Sequence, residues 1–111
     1  MPNWKTEIKR EMERARDAER RGNAGRVRTC ARRIAGIALR QVQQQFPQLQ
    51  LSSDYLSALY AVKKSDSVPP HIAEAASRLQ ARLSEDFTSP SSDPLADAMI
   101  IVEFVEQRLS A

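Results

Sequence analysis

Apolar residues recur at steps of three and four residues along most of the chain, and no segment shows the apolar and polar alternation of a half-buried strand. The first apolar stripe predicts a helix that Asn3 caps and that stops at Gly22. The second predicts the longest helix, from about Asn23 to Gln45, which Pro47 ends because proline disfavours a helical conformation in the residue before it. The stripes are Trp4, Ile8, Met12, Ala15 and Ala18, and then Val27, Ala31, Ile34, Ala35, Ala38 and Val42.

Three shorter stripes predict three further helices, each with its own start signal. Serine and aspartate caps at residues 52–54 begin the third helix, which ends near Lys64. A proline pair at positions 69 and 70 begins the fourth, and Asp93 caps a fifth that Pro94 opens and that runs to about Leu109. The apolar positions are Tyr55, Leu56, Leu59 and Val62; Ile72, Ala75, Ala76, Leu79 and Leu83; and Leu95, Ala98, Val102, Val105 and Leu109. The sequence therefore predicts a single all-α domain over residues 1–111, an up-and-down bundle of four or five helices.

The fifth helix has an apolar arc that is wider than one buried face. Ile101 and Phe104 extend the arc around to the far side, and Ile100 lies beyond them. Either the helix occupies the middle of the bundle, or Ile100, Ile101 and Phe104 form a surface patch that contacts a partner. On the second interpretation these three residues are candidates for a dimer interface.

A carboxylate interrupts the apolar stripe of the first helix. At 100° per residue, Glu11 lies within about 20° of Trp4 around the helix axis. We therefore expect its side chain either to turn to the rim of the apolar face or to meet a cation from the second helix. Arg28 and Arg32 are the candidates for that cation.

The basic residues are concentrated in the first part of the chain. The formal net charge is +3, but residues 1–45 carry 12 basic and 5 acidic residues, whereas residues 46–111 carry 5 basic and 9 acidic residues. One interpretation of this asymmetry is an anionic partner, either nucleic acid or an acidic protein surface. The alternative is that the basic half complements the acidic half of the same fold or of a second copy.

Four arginines of the second helix are candidates for binding an anion or a partner: Arg26, Arg28, Arg33 and Arg40. Three of them recur every seven residues, so they stay within about 40° of one another on the predicted solvent side. The turn before Arg26 precedes a helix N-terminus, which favours anions. The alternative is a solvated arginine face, since few aromatic residues are interleaved with the arginines for bases to stack on.

Few residues of the types that carry catalysis or bind metals are present. The lone Cys30 excludes an internal disulfide and is typical of a reducing compartment. The sequence shows no signal peptide and no run of about 20 apolar residues that could span a membrane. Together these features predict a cytoplasmic protein. One Cys and one His form no metal-ligand motif, so we predict no metal and no cofactor. Neighbouring arginines would lower the pKa of an exposed Cys30 thiol, and the alternative is a small apolar residue without a special role. His71 is either a catalytic residue or an ordinary surface residue of the first turn of the fourth helix.

Three segments together resemble the HEPN family, small helical bundles named for higher eukaryotes and prokaryotes nucleotide-binding. Residues 15–40, which read ARDAERRGNAGRVRTCARRIAGIALR, are similar to the family's first helix, glycine turn and alanine-rich second helix. Its later helices are similar to VPPHIAEAASRLQARLSEDF and SDPLADAMIIVEFVEQRL. The resemblance implies a HEPN-like bundle that acts as a homodimer or with a nucleotidyltransferase-type protein or a nucleotide as its partner.

The resemblance does not extend to the family's catalytic motif. Many HEPN proteins are metal-independent ribonucleases in which an arginine is followed, four to six residues later, by a histidine. Positions 64–67 before His71 hold no arginine. The resemblance therefore implies a non-catalytic binding or assembly module in which Arg26, Arg33 and Arg40 face an anionic partner. The alternatives are a degenerate ribonuclease that uses His71 with Lys64, and a basic helical protein that binds nucleic acid.

Overall fold

A computed structural model describes residues 3–43, 55–81 and 93–110 of the chain. In these residues the backbone forms five α-helices and no strand, which confirms the predicted all-α class. The predicted caps at residues 52–54, and Leu83 of the fourth apolar stripe, lie outside the described residues. The helices are α1 (Trp4–Arg20), α2 (Ala24–Arg40), α3 (Tyr55–Lys64), α4 (Pro70–Gln80) and α5 (Pro94–Ser110).

The turn between α1 and α2 is built by the local signals that the sequence shows. Gly22 has a φ of 71°, a left-handed conformation that favours glycine. Its N–H donates to the carbonyl of Glu19, and the N–H of Asn23 donates to the carbonyl of Ala18, so two carbonyls at the end of α1 have partners. The side chain of Asn23 then caps α2 by accepting a hydrogen bond from the N–H of Arg26.

Polar caps begin α1 and α5, and a proline begins α4, where the sequence predicts them. The side chain of Asn3 accepts a hydrogen bond from the N–H of Lys5 at 3.0 Å, and that of Asp93 accepts one from the N–H of Ala96 at 3.1 Å. Pro70 is the first residue of α4. A proline is tolerated there because the N–H that it lacks would have no partner in the first turn.

The second helix is shorter than predicted. It ends at Arg40 rather than near Gln45, which makes it about 26 Å long instead of about 34 Å at 1.5 Å per residue. The N–H groups of Gln41 and Val42 donate to carbonyls three residues back instead of four, which tightens the chain into a turn. Val42 nevertheless stays buried, as predicted.

The centre of the fold is α2, against which each of the other four helices packs. Its buried positions include Ala31, Ala35 and Ala38, and these small residues let neighbouring helices approach closely. Gly36 shows how close the approach of α3 is, because a Cβ atom at this position would overlap the ring of Tyr55.

The wide apolar arc of α5 is explained by its contacts with both α2 and α4. Ile101 and Phe104 are buried within the chain, with 0% and 6% of their surface exposed, and Ile100 is half-buried. The interpretation of these residues as a surface patch is therefore wrong for Ile101 and Phe104, because the helix has neighbours on two sides. In contrast, Leu56 and Leu109, which the sequence pattern places in the core, are exposed.

Candidate functional site

Arg28 and Arg32, one helical turn apart on α2, bind the C-terminal end of α4. Nη2 of Arg28 donates to the backbone carbonyl of Ala81. Arg32 donates from Nε to the carbonyl of Leu79 at 2.6 Å and from Nη2 to that of Ala81 at 3.2 Å. Carbonyls at a helix end lack partners inside the helix and carry the negative end of its dipole, so the two guanidinium groups stabilise this end.

The prediction of Arg28 as a surface site for an anion is wrong, because this side chain is buried and already bound to the backbone. Its Nε atom is buried without a hydrogen-bond partner in the described part of the chain. Burial, and after it the charge of Arg28, lowers the pKa of Arg32. Two neighbouring guanidinium groups are therefore used to hold α4 rather than to face a ligand.

Glu11 is buried on α1 and binds arginines from two helices. Its Oε1 atom lies 2.7 Å from Nη1 of Arg14 and 3.9 Å from Nη1 of Arg33 on α2. The prediction that Glu11 meets a cation from the second helix is confirmed. The cation is Arg33, however, and not Arg28 or Arg32, since both of these face α4.

Cys30 is a buried thiol rather than an activated one. Only 2% of the residue is exposed. Burial, followed by the charge and a hydrogen bond of Glu11, raises the pKa of Cys30, and these effects outweigh the lowering by Arg26 and Arg33. The expectation of a lowered pKa required an exposed thiol and is not met, so Cys30 matches the alternative of a small apolar core residue.

Arg26 and Arg40 lie at the surface, at opposite ends of α2 and about 21 Å apart along its axis. Arg26 lines a depression of about 350 Å³ at the α1–α2 turn together with Asp17 and Arg21. There the Asp17 carboxylate lies 3.1 Å from Nε of Arg21, so one of the two cations is already paired. The guanidinium group of Arg40 lies 5.8 Å from the ring centre of Tyr55.

The outer side of α3 carries a set of residues that the sequence pattern did not bring together. We call it the α3 outer stripe, and it consists of Leu56, Tyr60, Lys63 and Lys64. The Nζ atoms of Lys64 and Lys63 lie 4.6 Å and 5.8 Å from the ring centre of Tyr60. Leu56 and Tyr60 are 40% and 43% exposed. The spacing of the four stripe residues along one helix face was visible in the sequence. Leu56 was nevertheless assigned to the core because it is apolar.

His71 and Lys64, the residues of the ribonuclease alternative, lie on either side of the turn between α3 and α4. Lys64 is the last residue of α3, with its ammonium group over the ring of Tyr60. His71 is exposed in the first turn of α4. Within residues 3–43, 55–81 and 93–110, the imidazole of His71 has no hydrogen-bond or ion-pair partner.

Neither a metal centre nor a membrane span is found in the part of the chain that the structure describes. Among those residues, no group of three or more His, Cys, Asp or Glu side chains is placed to hold a metal ion. None of the helices there combines the length and the apolar character that crossing a membrane requires.

Comparison of the chain with protein-family models, with curated proteins and with solved structures finds no match. Among the arginines of α2, Arg28 and Arg32 hold the end of α4, whereas Arg26, Arg33 and Arg40 are exposed.

Proposed function

We propose that this chain is a non-catalytic, HEPN-like binding module that binds an anionic partner through cations on its surface. The supporting observation is that some arginines of α2 bind other helices whereas others lie at the surface. Arg28 and Arg32 hold the end of α4, and Arg33 is shared with Glu11. Arg26 and Arg40 are exposed at the two ends of the helix, and Arg33 is exposed between them. An anionic partner that touches α2 would therefore meet the exposed residues first.

The surroundings of the titratable groups support a role without catalysis. Cys30 is buried with a raised pKa, and a thiol that stays protonated is a poor nucleophile. Glu11 is bound to arginines of α1 and α2. Asp97 is bound to Arg78 across the α4–α5 contact. These groups stabilise the fold, so the proposal gives them no part in a reaction.

The homodimer and the nucleotidyltransferase-type or nucleotide partner stay predictions of the HEPN resemblance. Light scattering of the purified chain over a salt series measures its mass in solution and tests the first of them. A monomer at every salt concentration would contradict the homodimer.

Retention on immobilised heparin, a polyanion, tests the proposed surface. Arg26→Ala/Arg40→Ala removes two exposed charges from α2, and Lys9→Ala/Arg10→Ala removes two exposed charges from α1. In a salt gradient we expect the α2 variant to elute clearly earlier than the α1 variant, because it makes fewer contacts that release counterions. Equal elution of the two variants would mean that net charge alone causes retention and would contradict the proposal.

The ribonuclease alternative makes a different prediction for the same protein. This alternative requires that the purified chain cleaves RNA and that His71→Ala abolishes the cleavage. The proposal expects no cleavage that depends on His71, since the described structure gives the imidazole no acid or base partner. Cleavage by the wild type that the His71→Ala variant lacks would overturn the non-catalytic assignment.

A further inference from the structure

We infer that the α3 outer stripe is a binding site for single-stranded nucleic acid, in which an unstacked base lies on the ring of Tyr60 and the ammonium groups of Lys63 and Lys64 contact the neighbouring phosphates. The inference rests on the proposed function and names the class of its anionic partner. It places the site on α3, whose first residue, Tyr55, lies next to Arg40 at the end of α2.

The charge of α3 is suited to a phosphate backbone. Its sequence, YLSALYAVKK, contains two lysines and no acidic residue. Nζ of Lys63 lies 3.4 Å from Oε1 of Gln80 on α4, so this ammonium group is held near the protein surface. Two adjacent cations without a carboxylate on the same helix attract phosphate groups and release counterions on binding.

Tyr60 supplies the aromatic surface that sequence analysis did not find among the arginines. Its exposed ring has the ammonium groups of Lys64 and Lys63 over it, so a base that stacks on the ring displaces them toward its neighbouring phosphates. A hydrogen bond from Lys64 to the hydroxyl, followed by the charges of Lys64 and Lys63, lowers the pKa of Tyr60.

The small apolar area of the stripe favours nucleic acid over a protein partner. Among the described residues, the large apolar side chains that are exposed are Leu56, Tyr60 and Leu109, and two of the three belong to the stripe. Two side chains do not provide the roughly 800 Å² that each partner buries in a stable protein interface. Two cations and one ring, however, are enough for a base and its flanking phosphates.

A single strand fits the stripe better than a duplex. A duplex offers phosphates to the lysines but keeps its bases stacked, so that no base face reaches Tyr60. A second pair of cation and aromatic ring, Arg40 and Tyr55, lies at the other end of α3. Tyr55 is about 7.5 Å from Tyr60 along the helix axis but about 140° away around it, and its ring packs against Gly36, so this second pair is not part of the stripe.

Fluorescence anisotropy with a labelled oligo(U) of about twelve nucleotides tests the inference on the purified full chain. We expect Tyr60→Ala to weaken binding about tenfold and Tyr60→Phe to keep most of the affinity, because the phenylalanine ring still stacks. The plot of log binding constant against log salt concentration has a negative slope. Lys63→Ala/Lys64→Ala should make this slope shallower by about 1.4, the value for two lost phosphate contacts. Circular dichroism verifies that each variant is folded.

Two controls separate this site from binding by net charge. Leu109→Ala removes an exposed apolar side chain of α5, and Lys9→Ala/Arg10→Ala removes two exposed cations of α1. We expect the first to leave affinity unchanged and the second to change the salt slope less than the α3 pair does. A hairpin duplex of equal length should bind more weakly than oligo(U).

The outcomes distinguish the inference from the proposed function. Three results would overturn the α3 site. They are an affinity for oligo(U) that Tyr60→Ala leaves unchanged, a duplex that binds as tightly as oligo(U), and no binding of oligo(U) at all. If heparin retention still depends on Arg26 and Arg40 in any of these cases, the proposed function stands, with the anionic partner bound at α2 and not at α3. If the wild-type chain binds neither heparin nor oligo(U), both the α3 site and the proposed function are overturned.

Discussion

Arg78 of α4 binds Asp97 of α5 through two nitrogens of its guanidinium group. Nη2 lies 2.7 Å from Oδ1 of the carboxylate, and Nε lies 3.1 Å from each carboxylate oxygen. The Asp97 side chain is 9% exposed and that of Arg78 is 39% exposed. This hydrogen bonding is the largest cause of a raised pKa of Arg78, so the guanidinium group stays charged wherever the chain is folded.

Removing the arginine should expose how much the pair contributes to stability. We expect Arg78→Met to lower the free energy of unfolding by about 2–3 kcal/mol, less than for a fully buried pair because water reaches Arg78. Adding Asp97→Asn should recover part of the loss, since an amide is easier to bury than a carboxylate without its cation. Urea denaturation measures the free energy of unfolding of the wild type, Arg78→Met and the double variant. A double variant that is less stable than Arg78→Met would contradict this account.

The arginines that hold the end of α4 should act together. We expect Arg28→Met and Arg32→Met each to lower the free energy of unfolding by about 1–2 kcal/mol, through lost hydrogen bonds from a charged group. The double variant should lose more than the sum, because either arginine alone still donates to the Ala81 carbonyl. Arg33→Met on the same helix is the matched control, and its half-exposed ion pair should be worth under about 0.5 kcal/mol. Strict additivity in denaturation experiments would argue against a shared acceptor.

Gly36 should be intolerant of any side chain. A Cβ there overlaps the ring of Tyr55, so Gly36→Ala is expected to destabilise the chain by about 1–3 kcal/mol. Gly25→Ala on the same helix is the control, because its Cβ meets no atom closer than 3.8 Å and alanine is the better helix former. Thermal unfolding compares the two. In a Tyr55→Ala background the cost of Gly36→Ala should shrink, and an unchanged cost would locate the strain elsewhere.

The stability of the chain should fall at alkaline pH in part because of Cys30. Burial raises the pKa of this thiol in the folded state, so the stabilisation is complete below the pKa of the unfolded thiol and is lost as pH rises through the folded value. As pH rises above the ordinary pKa of a thiol, the free energy of unfolding should therefore decrease more in the wild type than in Cys30→Ala. Lysines and tyrosines titrate in both proteins, so the difference isolates Cys30. Parallel pH curves would show that the thiol does not contribute.

Local signals account for the helix boundaries that sequence analysis placed correctly. Asn3, Gly22, Asp93 and Pro94 each act on backbone groups within a few residues, so their effect can be predicted without knowing the fold. The end of α2 was misplaced because proline at position 47 marks where a helix cannot continue. It does not exclude an earlier turn.

The candidate site was predicted less well, because charge and apolarity do not say which side chains meet. Arg28 and Arg33 are both arginines of α2, yet one is buried against Ala81 and the other is half-exposed beside Glu11. Their angular positions on the helix were visible. Which neighbour lies at each angle depends on the packing of α1 and α4, and single-sequence periodicity does not contain that information.

The sequence by itself determined that the chain is helical, where most of the helices begin, and that α2 presents small residues to its neighbours. These properties follow from backbone sterics and from periodicity, which act over a few residues. Only the tertiary structure decided that Ile101 and Phe104 are core residues, that Arg28 and Arg32 hold α4, and that Tyr60 lies exposed among lysines. Those outcomes depend on which helices pack together, because burial and ion pairing are set by contacts between residues far apart in the chain.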